Sequence, residues 1–193
     1  MPMLLSGLAI FLLTHLLSAL APQFRLNLIA RLGTGGYRLA FSLVALIGFV
    51  LIVNGFSSER AHSVIIWEPN IATKWLARGL MLLALIVLAS SVGRSYLKHR
   101  IKHPQLTAVK TWSLAHLLAN GLMVDIVLFG TFLAWAVFTR IAIKRRVVNT
   151  TLAAATWQPL FLHDLIAVAI GVCAYAFFLL GGHVYFFGVN PLP

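Results

Sequence analysis

The sequence predicts an all-α integral membrane protein, a bundle of about six transmembrane helices with both termini outside. Of its 193 residues, 61% are hydrophobic and only 10% charged, which is too apolar for a soluble domain of that length. The apolar residues fall into runs of about the 20 residues that cross a bilayer core. The basic residues collect in alternate loops between those runs. Such a chain forms a single transmembrane domain over residues 1–193, with no room for a separate soluble one.

The first span runs from about Met3 to Ala21 and carries Thr14 and His15. It ends in Ala19-Leu20-Ala21, as a signal peptide does. However, no basic residue precedes it, Pro22 follows the apparent cleavage point, and the run is long for a signal core. It therefore reads as a retained span. A loop with Arg25, Arg31, Arg38 and the glycine turn Gly33-Thr34-Gly35-Gly36 leads to the second span, about Tyr37 to Phe56. The next loop mixes Glu59, Arg60, Glu68 and Lys74, with Trp67 and Trp75 suited to the membrane interface.

The third span, about Leu76 to Val92, precedes the most basic loop, with Arg94, Lys98, Arg100 and Lys102. The fourth, about Leu106 to Asn120, is short and interrupted by Lys110, Ser113 and His116. Asn120-Gly121 signals a tight turn into the fifth, about Leu122 to Ile143, which Lys144, Arg145 and Arg146 close. A mixed segment up to Pro159 leads to the sixth span, about Leu160 to Gly182.

Fifteen Lys and Arg against four Asp and Glu give a net charge of +11. In a soluble chain that excess would raise the question of nucleic acid, but no basic stretch here has a folded domain beside it, and no nucleic-acid partner is expected. The charge reads as orientation. The first, third and fifth loops carry the Lys and Arg and no acid, so they belong in the cytoplasm and both termini outside. The one cysteine, Cys173, lies in an apolar run. It excludes an intrachain disulfide, a c-type haem attachment and a zinc site of cysteine pairs.

Chemistry falls to the histidines, because an ionisable residue at membrane depth is costly and marks a functional site by default. His62 and His99 read as loop residues, and His183 as an interface anchor among Tyr185, Phe186 and Phe187. Asp164 can orient and charge the neighbouring His163 imidazole, though water at that helix end favours a structural role. His15 and His116 remain. Counted from opposite membrane faces at 1.5 Å per residue, they lie about 18 Å and about 15 Å deep. Two imidazoles at one depth on different helices suit a haem held without covalent attachment. The alternative is that each bonds across helices as polar residues in bundles do.

Ser113, His116 and Asn120 share a helix face, and a polar face on a span turns away from lipid. Lys110 lies on the same side, able to snorkel or to neutralise a haem propionate. His103 precedes Pro104 at the helix start, where it can meet an anion together with Arg100 and Lys102. Asp125 either caps the fifth span or acts near the outer surface.

Lys102-His103-Pro104-Gln105, Trp112-Ser113-Leu114-Ala115-His116 and Asn120-Gly121 resemble motifs of the NnrU family of bacterial membrane proteins. Tyr37-Arg38, Leu51-Ile52-Val53 and Phe132-Leu133-Ala134-Trp135-Ala136 add to the resemblance, which is strongest over residues 1–143. It implies a multi-pass protein of the bacterial inner (cytoplasmic) membrane, linked to nitrite and nitric oxide respiration in denitrification, with a respiratory reductase complex as partner. The family is related to 15-cis-zeta-carotene isomerase, a membrane enzyme with haem b. That relation implies His15 and His116 as haem ligands and a role in activity for His103. Ser113 departs from the isomerase pattern, which has a cysteine there, and this puts any thiolate mechanism in doubt.

Four functions follow as expectations. The first is a haem-b protein supporting nitrogen-oxide respiration. The second is a haem-dependent cis–trans isomerase of a polyene such as zeta-carotene. A membrane methyltransferase would use the Lys102-His103-Pro104 element, yet after Pro104 the chain has only Asp125 and Asp164 to help hold a methyl donor. The fourth is a non-enzymatic accessory subunit whose polar residues lock helices together.

Overall fold

The structure, a computed structural model, describes residues 1–147 and 158–192. Most of the mixed segment before Pro159 lies outside the described residues. The fold is all-α. Its helices are α1 (Pro2–Leu20), α2 (Pro22–Arg60), α3 (Ile71–Ala89), α4 (Tyr96–Ile101), α5 (Pro104–Ala119), α6 (Met123–Val147), α7 (Phe161–Phe177) and α8 (His183–Phe187). A π-helical turn, Phe178–Gly182, joins the last two. Among the described residues, four stretches are long and apolar enough to cross a membrane: Pro22–Arg60, Ile71–Ala89, Met123–Arg145 and Phe161–Phe187. The first and fourth expected spans correspond to α1, whose described apolar stretch is Pro2–Leu17, and to the 16-residue α5.

Two boundaries differ from the sequence reading. The expected loop after the first span is helical: α2 begins at Pro22, one residue after α1, and the glycine turn is reduced to a break at Gly33. Gly33 has φ 71 and ψ 166, a conformation that only glycine adopts without strain. The three other residues of that turn, Thr34, Gly35 and Gly36, stay helical because backbone hydrogen bonding outweighs their weak propensity. The last span also outlasts its expected end, through the π turn to Phe187. Within the basic loop, Ser95 caps the short α4, accepting from the Lys98 N–H at 3.0 Å.

The chain forms two compact units. The first comprises residues 1–67 and 122–151, and contains α1, α2 and α6. Here α1 lies antiparallel to the second half of α2, with backbones meeting at glycines. A Cβ on Gly48 would lie 2.8 Å from the Phe11 backbone nitrogen, and one on Gly7 would lie 2.6 Å from that of Ile52. Without a hydrophobic drive between helices in lipid, such close approach supplies the packing energy. Facing outward, α2 exposes Leu39, Leu43, Leu46, Ile47 and Phe49 while it buries Gly48, Ile52 and Gly55. Mostly small residues inside and large apolar ones outside are what a hydrocarbon solvent selects. At the N-terminal end of α6, Asp125 is 1% exposed. It accepts from the Leu122 N–H at 3.2 Å and lies 3.9 Å from Arg60, which makes it a helix-end residue.

The second unit comprises residues 68–121 and 152–193. In it α3 packs antiparallel to both α5 and α7. Gly171 of α7 meets the Ile86 backbone, and Gly93 meets the His163 ring. His163 and Asp164 are structural here. Asp164 accepts the Tyr96 and Leu97 N–H groups at 2.8 and 3.0 Å, and the His163 Nδ1 accepts the Arg94 N–H at 2.8 Å. Both tie the start of α7 to the segment that opens α4.

Candidate functional site

In the first unit His15 sits on α1, four residues after Phe11, and its Nδ1 lies 2.7 Å from the Phe11 carbonyl. A carbonyl only accepts, so Nδ1 donates to it, and in the neutral form of the ring the lone pair is on Nε2. The ring is held among aromatics: Phe11 at 4.3 Å between centroids, Phe41 at 5.2 Å and Trp135 at 6.3 Å, edge-on. The indole Nε1 of Trp135 is buried without a hydrogen-bond partner, as is the hydroxyl of Thr139 one turn further along α6.

In the second unit His116 repeats the arrangement on α5. Its Nδ1 lies 2.9 Å from the Trp112 carbonyl, one turn back, and Trp112 flanks the ring at 5.1 Å. The same tautomer follows. Asn120, at the end of α5, donates from Nδ2 to the His116 carbonyl at 2.9 Å. Ser113 is fully buried on that helix, and its Oγ has no partner. Lys110 is half-buried two turns before His116. His103 is the N-cap residue of α5, 13 residues from His116 and so about 19 Å along the axis. It does not line the cavity described next, nor do Ser113 and Lys110.

That cavity, of about 260 Å³, lies within the second unit. His116 and Asn120 contribute to it from α5, Lys74 and Arg78 from α3, and Tyr175 and His183 from the last span. His183 corrects its reading as an interface anchor. Its ring lies 6.4 Å from that of His116 and within 23° of parallel, and its Nδ1 lies 2.8 Å from the Val189 carbonyl. The π turn at Phe178–Gly182, with Gly181 at φ 152, shifts the helical register just before His183. Such π turns recur at functional sites. Arg78 was also missed by the sequence reading, since one arginine in a span's first turns reads as interfacial. A signal was available: Arg78 stands about 11 Å into α3, at 1.5 Å per residue from Ile71.

The donor chemistry suits a haem iron. His15 and His116 each hold Nδ1 to a backbone carbonyl, the outer bond that fixes ring orientation in metal-ligating histidines. Each also has a buried, unpartnered polar atom nearby, in Trp135 and Ser113. Among the described residues no group of three or more His, Cys, Asp or Glu is placed to hold a bare metal ion.

Apolar helices with large side chains outward and clamped histidines inside define a multi-pass membrane protein. The NnrU protein family model matches residues 3–191, nearly the whole chain and the last span with it, and the chain belongs to that family. No curated protein and no solved structure matches it.

Proposed function

We propose that this membrane protein binds haem b, that His15 and His116 are the residues that would hold its iron, and that it supports nitrite and nitric oxide respiration. The observation that carries the reading is the shared clamp: both rings bond Nδ1 to the carbonyl one helical turn back, which presents Nε2 as a metal donor. When bound, haem would supply an iron able to pass an electron, or to take a diatomic ligand in place of one of the two histidines. The chain's own residues orient the rings and keep water away. Phe11, Phe41 and Trp112 pack against the imidazoles, and Ser113 and Trp135 offer buried donors. Lys110 would neutralise an acidic haem edge, with Asn120 and His103 completing the polar set at the two ends of α5.

The test is an optical spectrum of protein purified from haem-replete cells, with and without nitric oxide. We expect a Soret band that nitric oxide shifts and that His15→Ala and His116→Ala each abolish. A colourless wild-type protein would overturn the reading. His183→Ala is the third arm: a band lost there and kept in His15→Ala would transfer the second ligand to His183, the imidazole beside His116 in the same cavity.

A further inference from the structure

Arg78 presents a problem of charge. It is 8% exposed within an apolar helix, and among the described residues no carboxylate pairs with it. Its Nε and Nη2 donate to a single neutral acceptor, the Pro191 carbonyl, at 3.0 and 2.8 Å. Its guanidinium stacks 4.4 Å from the Trp75 ring, and Nη1 is buried with no partner. The ion pairs among the described residues join the Met1 amino group to Glu59 and Arg60 to Asp125, not Arg78. Desolvating a cation without a counter-ion is costly, so an Arg kept there calls for an anion.

The cavity beside it supplies the room and the shape. Its lining includes Lys74 and Arg78 but no Asp or Glu. Along α3 it extends from Lys74 to Leu85, about 16 Å at 1.5 Å per residue. One end is polar, with Lys74, Arg78, Asn120 and Asn190, and the other is apolar, with Met81 and Leu85. A cationic end and an apolar end match a molecule with the same two ends.

We propose that the cavity of the second unit is a receptor for an amphiphilic acid, one carboxylate on an apolar body, whose carboxylate pairs with the unpartnered Nη1 of Arg78. A guanidinium edge suits a carboxylate because its N–H groups match the two oxygens. The acid has two chemical sources, a fatty acid from the bilayer or the carboxylate edge of a porphyrin. The Arg78 site stands without the haem reading, and the two fail separately.

The experiment uses the full chain in an uncharged maltoside detergent. Thermal unfolding is followed with sodium octanoate, octanol and octylammonium at equal concentrations. Octanoate is expected to raise the melting temperature, whereas octanol and octylammonium are not. Equal stabilisation by octanoate and octanol in the wild type overturns the proposal, and that comparison needs no variant. Arg78→Gln keeps an N–H donor for Pro191 and is expected to weaken octanoate at least about 10-fold, the effect of losing a charge-assisted pair. Unchanged affinity in a folded Arg78→Gln protein also overturns it. Titration with haem and with haem dimethyl ester identifies the source. A preference for the free acid that Arg78→Gln removes assigns the site to the porphyrin carboxylate. Octanoate binding without that preference assigns it to a bilayer fatty acid.

Discussion

The Ser113 hydroxyl is fully buried in α5, three residues before His116, and has no hydrogen-bond partner. An unsatisfied buried hydroxyl costs about 1–3 kcal/mol, so Ser113→Ala is expected to leave the haem-free protein as stable as before or more so. The same change is expected to weaken haem retention if the hydroxyl serves the cofactor. Melting temperatures with and without haem check both signs; a large loss of stability without haem would show an unseen partner. Asp164 is the opposite case. At 9% exposure it accepts two backbone N–H groups, so Asp164→Ala is expected to cost roughly 2–3 kcal/mol and Asp164→Asn less, measured by thermal unfolding. At this scale the sequence located His15 and His116 because a histidine inside an apolar run stands out. It could not reveal Arg78 and His183 as neighbours of one cavity, since about a hundred residues separate them and the fold alone unites them.

Helices α1 and α2 are joined by glycines that touch backbone, and α3 carries one that does not. A Cβ at Gly48 would lie 2.8 Å from the Phe11 nitrogen, and at Gly55 it would overlap the Leu4 backbone. Gly48→Ala and Gly55→Ala are therefore each expected to cost about 1–3 kcal/mol by overpacking. Gly79→Ala on α3 meets nothing within 4 Å and is expected to be neutral or to stabilise by about 0.5–1 kcal/mol through helix propensity. Thermal unfolding of the three variants checks the contrast, and equal effects at Gly48 and Gly79 would sink it. The helices themselves were legible in the sequence because hydrophobic runs of membrane length have few other readings. Their ends were not. The residues from Pro22 to Gly36 are polar enough to suggest a loop, yet an amphipathic helix has the same composition, and the break came down to the conformation of Gly33 alone.

The number of crossings is a property of the whole molecule, and loop charges decide it where helix length does not. If only α2, α3, α6 and α7 crossed, the loop with Arg94, Lys98, Arg100 and Lys102 would face the opposite side from Lys144, Arg145 and Arg146. The positive-inside rule puts both in the cytoplasm, which requires α5 to cross. At 16 residues α5 is about 24 Å long, below the ~30 Å core, a mismatch that local bilayer thinning absorbs at modest cost. For α1 the argument is contact. It runs antiparallel to α2 from Leu4 against Gly55 to Phe11 against Gly48, so it shares the depth of a helix that crosses. Six crossings then leave both termini outside. Single cysteines in a Cys173→Ala background check this. An impermeant maleimide applied to sealed right-side-out vesicles is expected to label His62→Cys, between α2 and α3, and to spare Arg100→Cys until the vesicles are opened. Labelling of Arg100→Cys in sealed vesicles would place the most basic loop outside and return α5 to the membrane surface.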